Sequence, residues 1–535
     1  MAARRTASRV GDRGLPNPRP ARSRFPRGLL IACLVAEAVI VLPILVAVSQ
    51  AVGGGWHAAF HDIRQAGMGT LILHTLAVCV LVTLICGAVG LGTAWWVERT
   101  DLPGRRGWRM AMVAPLTVPP FVTSYAWVTV SSAFNGLAGA VVITSCTYFP
   151  LVFLMVSASL RGLDPALEES ARSLGCSPGR VFRRVVLPQV KPALLGGMLL
   201  VGLDALVEFD AFAAVKFQTF STDVYAQYLT GISVSGAAVL SMVSIVLCIA
   251  MLGGEWKLRG GAQYTRVSQG ARRPPSLYPL GGSAPGVLAG MGVVVAASLG
   301  VPLGTLVYWF TRSSHQGLAA AAAGTRYLVP STATSVGLAI ASAAVGLVLA
   351  LPIAVAVTSH RGKLVTLLER GSYLSYALPD LVGAIALGYA AAHWARPLYE
   401  SVFLLVVAYA ILFVPLGVVA LRATLGQIEP GMEDCARSLG AGRLSSLWRV
   451  TLPVARPGIG AAAVLIFAFV IGDLSTTQVL LPPGMYTLST QFWSNSSTVA
   501  FAAAAPYAAV LIGLALIATY VLMSRFGRVR TLEAG

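Results

Sequence analysis

Twelve stretches of predominantly apolar residues recur along this chain, at 28–52, 71–96, 110–131, 137–160, 193–213, 237–253, 285–309, 332–357, 373–392, 399–421, 459–480 and 501–523. Most approach the roughly 20 residues that a helix needs to cross the hydrocarbon of a bilayer. Lipid offers no partner for backbone N–H and C=O groups, so such a chain has to fold as a helical bundle that satisfies them internally. Composition agrees: 11% of the residues are charged, where a soluble domain has about 25%. That excludes an ordinary water-soluble enzyme. The 7 cysteines are scattered with no CxxC pair, and of the 6 histidines only His57 and His61 share helical spacing. Neither pattern points to a disulfide framework or a metal site.

The 39 Lys and Arg against 21 Asp and Glu acquire a meaning once they are placed on loops. Eight arginines and one acid, Asp12, crowd residues 1–27. The apolar run that follows is longer than a signal-peptide core, contains Glu37 and lacks a clear A-x-A site, so it reads as a retained span. With this arm in the cytoplasm, 34 of the 39 cations fall on cytoplasmic loops and only Arg64, Lys216, Arg312, Arg326 and Arg396 fall outside. This is the positive-inside distribution of a multi-pass protein with both termini cytoplasmic. The basic balance needs no nucleic-acid partner to explain it.

Self-comparison adds the next constraint. Residues 167–192 align without a gap on 432–457 at an offset of 265, with 11 of 26 positions identical, among them Ala171 to Gly175 on Ala436 to Gly440. Pro150 matches Pro415 in the same register, and near the start of each half His74-Thr75 falls on Thr334-Ser335 at an offset of 260. The chain is therefore a duplicated six-span unit. An even number of spans gives both copies one orientation, so the halves are parallel repeats about an axis along the membrane normal, with a transport path expected between them.

Each repeated segment occupies a cytoplasmic loop between the fourth and fifth spans of its half. Asp164-Pro165 and Glu429-Pro430 suit a helix start, the acids Glu168, Glu169, Glu433 and Asp434 suit its first turn, and Gly175 and Gly440 suit the turn after it. A basic, partly apolar stretch follows and is expected to end at Leu187-Pro188 and Leu452-Pro453. A short exposed helix of this kind is shaped to enter a groove on another protein.

The loop resembles the EAA motif of binding-protein-dependent ABC importer permeases, E-A-A-x3-G-x9-I-x-L-P. The first copy reads Glu169-Ser170-Ala171, Gly175, Val185, Leu187-Pro188, and the second Asp434-Cys435-Ala436, Gly440, Val450, Leu452-Pro453. Ser170, Cys435, Asp434 and the two valines depart from the pattern, and Asp434 leaves open whether it or Glu433 makes the partner contact. The resemblance implies that Glu168, Glu169, Ala171, Gly175, Leu187, Pro188 and their counterparts Glu433, Asp434, Ala436, Gly440, Leu452, Pro453 couple the spans to two copies of an ATP-binding subunit. It also implies a solute-binding protein outside. The chain has no G-x-x-x-x-G-K-[ST] phosphate loop, so ATP and magnesium belong to the partner and the chain itself is no enzyme and carries no cofactor.

Acids within spans are costly and hence path candidates. They are Glu37, Asp204, Glu208, Asp210, Asp380 and Asp473, with Glu208 falling on Asp473 under the 265 offset, in the outer half of the bilayer. The structural alternative is that these carboxylates bond backbone or hydroxyl groups at a loop boundary. An interior with acids and no Lys or Arg favours a metal ion or organic cation over sulfate, phosphate or molybdate. Fused two-half permeases with this motif resemble those for ferric iron most and those for thiamine less. A different class remains open, an ion-coupled secondary transporter working through Glu208 and Asp473, against which the two motif copies argue.

The expected architecture is an all-α membrane protein of twelve transmembrane helices in two parallel six-helix repeats, like a type I ABC importer permease. Its parts are a basic cytoplasmic arm (1–27), a first half (28–260) with its loop at 161–192, a linker (261–284), a second half (285–523) with its loop at 422–457, and a cytoplasmic tail (524–535).

Overall fold

A computed structural model describes residues 26–53, 67–163, 165–230, 234–259, 277–313, 326–360, 362–375, 378–426, 442–446, 449–450 and 452–522, with the single residues 436, 438, 440 and 524. His57, His61, Asp164, Glu433 and Asp434 lie outside the described residues.

The first half comprises α1 (Arg27–Gly53), α2 (Met68–Arg99), α3 (Arg105–Val113), α4 (Pro120–Val130), α5 (Leu137–Gly162), α6 (Pro165–Ser173), α7 (Leu187–Val207), α8 (Asp210–Ala214), α9 (Phe220–Thr230) and α10 (Val234–Arg259). The second comprises α11 (Ala284–Val295), α12 (Val301–Ser313), α13 (Leu328–Ser359), α14 (Lys363–Leu374), α15 (Asp380–Trp394), α16 (Val402–Leu425), α17 (Leu452–Gly472), α18 (Ser475–Leu480), α19 (Leu488–Ser497) and α20 (Phe501–Val521). The duplication is kept to the residue in several helices. Both α2 and α13 have 32 residues at an offset of 260, and both α7 and α17 have 21 at an offset of 265.

Among the described residues nine helices are long and apolar enough to cross a membrane, beside a shorter apolar stretch at Leu240–Met251 within α10. Three expected spans are not among the nine. The segment 110–131 is no single helix: Pro115, Pro119 and Pro120 interrupt it, leaving α3, a tight turn over Ala114–Thr117 and the 11-residue α4, because proline removes a donor and clashes with the preceding turn. Its counterpart 373–392 likewise restarts after Pro379 as the 15-residue α15. The third, 237–253, falls within α10. The expected spans 193–213 and 459–480 stop early as well, at Val207 and Gly472.

Small residues bring the long helices together, the packing mode available where apolar burial does not drive association. α2, α5 and α7 pack on one another, and at Gly90 a Cβ would come within 2.6 Å of the Val152 side chain. Leu73, Val80 and Leu84 on α2 and Val348 on α13 stay exposed, as side chains facing lipid do.

The halves interlock. Ala36 and Ile40 of α1 are buried with Ile353, Val414, Val418 and Ala455 of the second half, and the Cys33 thiol donates to the Pro352 carbonyl at 3.3 Å. Reciprocally, Met291 of α11 is buried with Val78, Phe149 and Val201 of the first half. The broken helices cross over too: Phe121, Val122 and Tyr125 of α4 are buried with Leu488, Phe492 and Ala504, while Leu381 and Val382 of α15 are buried with Phe209, Phe220 and Val224.

Candidate coupling loops and a central acid layer

The first repeated loop folds as expected into a short helix with a sharp end. α6 stops in a two-bond cap in which the Gly175 N–H donates to the Arg172 carbonyl at 2.9 Å and the Cys176 N–H to the Ala171 carbonyl at 3.1 Å. That closure needs a left-handed residue, and Gly175 supplies it with φ of 79°. Gly440, at φ of 85°, repeats the conformation in the second loop.

The two acids of the first turn do different things. Glu169 is exposed. Glu168 is buried, and its Oε1 pairs with Arg99 Nη2 at 2.9 Å. Arg99, fully buried at the end of α2, also donates to the Leu160 carbonyl at 3.1 Å. Arg99 is therefore no free cation of a cytoplasmic loop. The outward side of the loop is instead made by Glu169, by Arg180, Arg183 and Arg184, and by two exposed apolar residues, Leu167 and Leu174. Leu174 is 84% exposed.

Leu187-Pro188 does not terminate the basic stretch. The chain passes through a wide π turn, Phe182–Val186, straight into α7, with Pro188 in its first turn. The wider turn accommodates a residue without an N–H. Leu452 and Pro453 open α17 in the same way. Ala436 is helical, which matches Ala171 in α6.

The second constellation is the layer of acids. Glu208 and Asp473 sit not within helices but at the breaks that follow α7 and α17, where each carboxylate caps the next short helix. The Ala211 N–H donates to Glu208 Oε1 at 2.8 Å, and the Thr476 N–H to Asp473 Oδ2 at 3.2 Å. Ala211 and Thr476 are themselves 265 apart, so both halves build one cap. Part of the structural alternative is thus realised: these acids satisfy backbone donors at the breaks that follow α7 and α17. Each turn also meets a tyrosine from the preceding long helix. The Tyr148 hydroxyl donates to Glu208, and the Tyr409 and Thr477 hydroxyls share a hydrogen bond. Neither tyrosine stood out in the sequence, because the 265 offset pairs them with Phe413 and Thr144 and so hides their shared task. Tyr148 is 11 residues from one end of α5 and 14 from the other, about 16 and 21 Å along the axis. The acid layer is therefore close to mid-depth.

One contact locates the centre. Ser475 Oγ donates to Asp210 Oδ1 at 2.7 Å, across a sequence separation of 265. Residues equivalent under a twofold repeat touch only where the axis passes, so the pseudo-twofold axis runs between Asp210 and Ser475. Asp210 is also within electrostatic reach of Glu208, Asp473 and Asp380, and Asp380 of Asp204. The candidate acids thus converge on one layer, Asp204 one helical turn before Glu208 and Asp380 at the start of α15. Glu37 stays apart on α1, near Gly371 of α14. Among the described residues no three His, Cys, Asp or Glu side chains form a group that could hold a metal ion.

A hydroxyl-rich turn is repeated in the two halves. In the first half the Phe220 N–H donates to Thr75 Oγ1 at 3.2 Å, and in the second the Leu488 N–H donates to Ser335 Oγ at 2.9 Å. The sequences Gln218-Thr219-Phe220-Ser221-Thr222 and Tyr486-Thr487-Leu488-Ser489-Thr490 make matching turns with the offset widened to 268. Ser221 Oγ ties this turn to the acid layer by donating to the Glu208 carbonyl at 2.5 Å.

Comparison with known proteins agrees with this duplicated plan. Residues 88–253 and 346–529 match the family described as binding-protein-dependent transport system inner membrane component, one segment in each half. The chain is 32% identical over 492 residues to the Fe(3+)-transport system permease protein FbpB 2 of Haemophilus influenzae, covering 91% of this chain and 96% of that one. Over 212 residues it is 30% identical to the molybdenum transport system permease protein ModB of Escherichia coli K12, across 35% of this chain and 92% of the relative. It is 25% identical to the sulfate transport system permease protein CysW of Synechococcus elongatus, across 44% and 92% respectively.

Proposed function

We propose that this chain, which belongs to the family of binding-protein-dependent transport system inner membrane components, is the membrane path of an ATP-driven importer of ferric iron. It is a multi-pass membrane protein of a transport system whose partners are an ATP-binding subunit and a solute-binding protein. The iron reading rests on one observation above the others: similarity to an Fe(3+) permease runs over 91% of the chain, whereas the molybdenum and sulfate permeases match 35% and 44% of it. The acid layer supports it, since carboxylates on the axis attract a cation and repel an oxyanion.

In this reading two ATP-binding subunits, which hold ATP and magnesium, dock on the loops 161–192 and 422–457. They meet Glu169, Ala171 and Gly175 on one side and Glu433 or Asp434, Ala436 and Gly440 on the other, while Leu187-Pro188 and Leu452-Pro453 join the loops to α7 and α17. Closure of the ATPases rocks the halves about the axis, and the contact between Asp210 and Ser475 opens to let the ion pass Glu208, Asp473, Asp380 and Asp204. The topology is twelve-span with both termini in the cytoplasm; the broken pairs α3–α4 and α14–α15 serve as crossings shared between helix pieces. The binding protein delivers its ion at the end of the bundle carrying Lys216 and Arg326.

The test is uptake of radiolabelled ferric iron into proteoliposomes holding this chain, its ATP-binding subunit and its binding protein. ATP-dependent uptake is expected, with Gly175→Asp plus Gly440→Asp abolishing both uptake and copurification of the ATPase. Uptake driven by a proton gradient without the ATPase, or intact coupling in the double variant, would overturn the reading.

A further inference from the structure

Tyr278, on the segment that joins the halves, occupies a junction that neither the coupling motif nor the acid layer accounts for. Its backbone is bridged to the end of α2: the Tyr278 N–H donates to the Arg99 carbonyl at 2.8 Å, and the Asp101 N–H donates to the Tyr278 carbonyl at 3.2 Å. The Leu280 N–H adds a bond to Asp101 Oδ1 at 2.8 Å. Its ring lies 5.3 Å from that of Trp95 and takes the Arg172 guanidinium on one face at 4.3 Å. Its hydroxyl donates to Glu168 Oε2 at 3.1 Å, while the other oxygen of Glu168 pairs with Arg99.

These contacts form a closed circuit. Tyr278 grips α6 at two residues one turn apart, Glu168 and Arg172, and Arg99 holds Glu168 from the opposite side. Six residues after Tyr278 begins α11, whose Met291 is buried in the core of the first half. A displacement of α6 is therefore passed both to α2 and α5, through Arg99 and the Leu160 carbonyl, and to the first helix of the second half, through the chain at Tyr278. Burial pushes the Tyr278 phenol up from its ordinary range, and the charge of Glu168 adds to the effect, so the hydroxyl stays a donor at neutral pH. At the position equivalent to Arg99, the last residue of α2, α13 ends on Ser359.

We propose that Tyr278 is a positioning residue for ATP-driven transport, a one-sided brace through which the first coupling helix moves the first helix of the opposite half. The proposal rests on the reading of α6 as the helix that meets the ATPase. The experiment is the ratio of ferric iron imported to ATP hydrolysed in the reconstituted full complex, with wild type, Tyr278→Phe, Tyr278→Ala and Ser359→Ala. Tyr278→Phe removes one oxygen and keeps the ring under Arg172, so assembly is retained; it is expected to lower the ratio about fivefold, and Tyr278→Ala further, in the range of site-to-site coupling energies. Basal ATP hydrolysis is expected to stay within about twofold of wild type in Tyr278→Phe, a split that simple misfolding does not produce. Ser359→Ala is expected to leave the ratio unchanged. Wild-type ratios in both tyrosine variants, or an equal fall in Ser359→Ala, overturn the brace while leaving the importer reading intact. No ATP-dependent uptake by wild type overturns that reading and the brace together.

Discussion

The two halves share the lengths of α2 and α13, and of α7 and α17, to the residue, yet they differ in charge at two equivalent positions: Arg99 against Ser359 at the ends of α2 and α13, and Asp210 against Ser475 at the starts of α8 and α18. Both differences fall where one copy meets something the other does not. Arg99 lies where the joining segment docks, a feature that exists once in a fused chain. Asp210 and Ser475 meet each other on the axis, where two identical aspartates would set like charges at hydrogen-bond distance. Duplication preserves what each half needs to fold, and divergence appears at contacts that symmetry would make redundant or repulsive.

The largest effect that sharpens this comparison is expected from Arg99→Met. It leaves buried Glu168 without its counter-charge, and breaking a buried pair in this way costs about 3–5 kcal/mol; Ser359→Ala at the equivalent end stays within about 0.5 kcal/mol. Thermal unfolding of the purified protein in detergent reads both, and equal shifts would break the comparison. Next, Ser475→Asp makes the halves alike on the axis. Two carboxylates near 4 Å repel by about 4 kcal/mol at an effective dielectric constant of about 20, so stability and iron uptake should both fall. The exchange Asp210→Ser with Ser475→Asp should restore them, because the axis makes the positions interchangeable; failure of the exchange argues against an axis through this contact.

Ser475→Ala removes a single hydrogen bond to a carboxylate, worth about 1.5–3 kcal/mol. A double-mutant cycle with Asp210→Asn should return most of that as coupling energy, and additivity would mean that the contact carries none. The smallest effect concerns the loop glycines. Both have open space where a Cβ would sit, so Gly175→Ala and Gly440→Ala should each cost only the left-handed backbone strain, about 1 kcal/mol. Melting temperatures should fall by similar amounts in the two variants, with ATPase copurification retained. A much larger loss in one would show that the loops are not equivalent.

Much of this molecule was legible before any coordinates. Hydropathy windows identified the long helices because lipid requires uninterrupted apolar runs, and the 265-residue repeat located the helix α6 together with the left-handed glycines Gly175 and Gly440. The windows failed at 110–131 and 373–392, where prolines split an apolar run that a hydropathy average cannot distinguish from a continuous helix. They also placed Glu208 and Asp473 inside helices, since neither acid looks like a cap until the following residues turn. Glu168 and Glu169 look equivalent in the sequence; adjacent residues on a helix point about 100° apart, and only packing decides that one faces Arg99 and the other water.

The sequence by itself determined a duplicated, helical membrane protein with two repeated loops and acids in its interior, because apolar period, charge placement and self-similarity are properties of a linear string. Tertiary structure alone decided that the first helix of each half packs on the other, that Asp210 meets Ser475 on the axis, and that Tyr278 closes a circuit with Arg99, Glu168 and Arg172. Those contacts join residues about seventy to four hundred positions apart. Their partners are chosen by the close packing of helices and by the need of each buried charge for a counter-charge, neither of which leaves a local trace in the order of the residues.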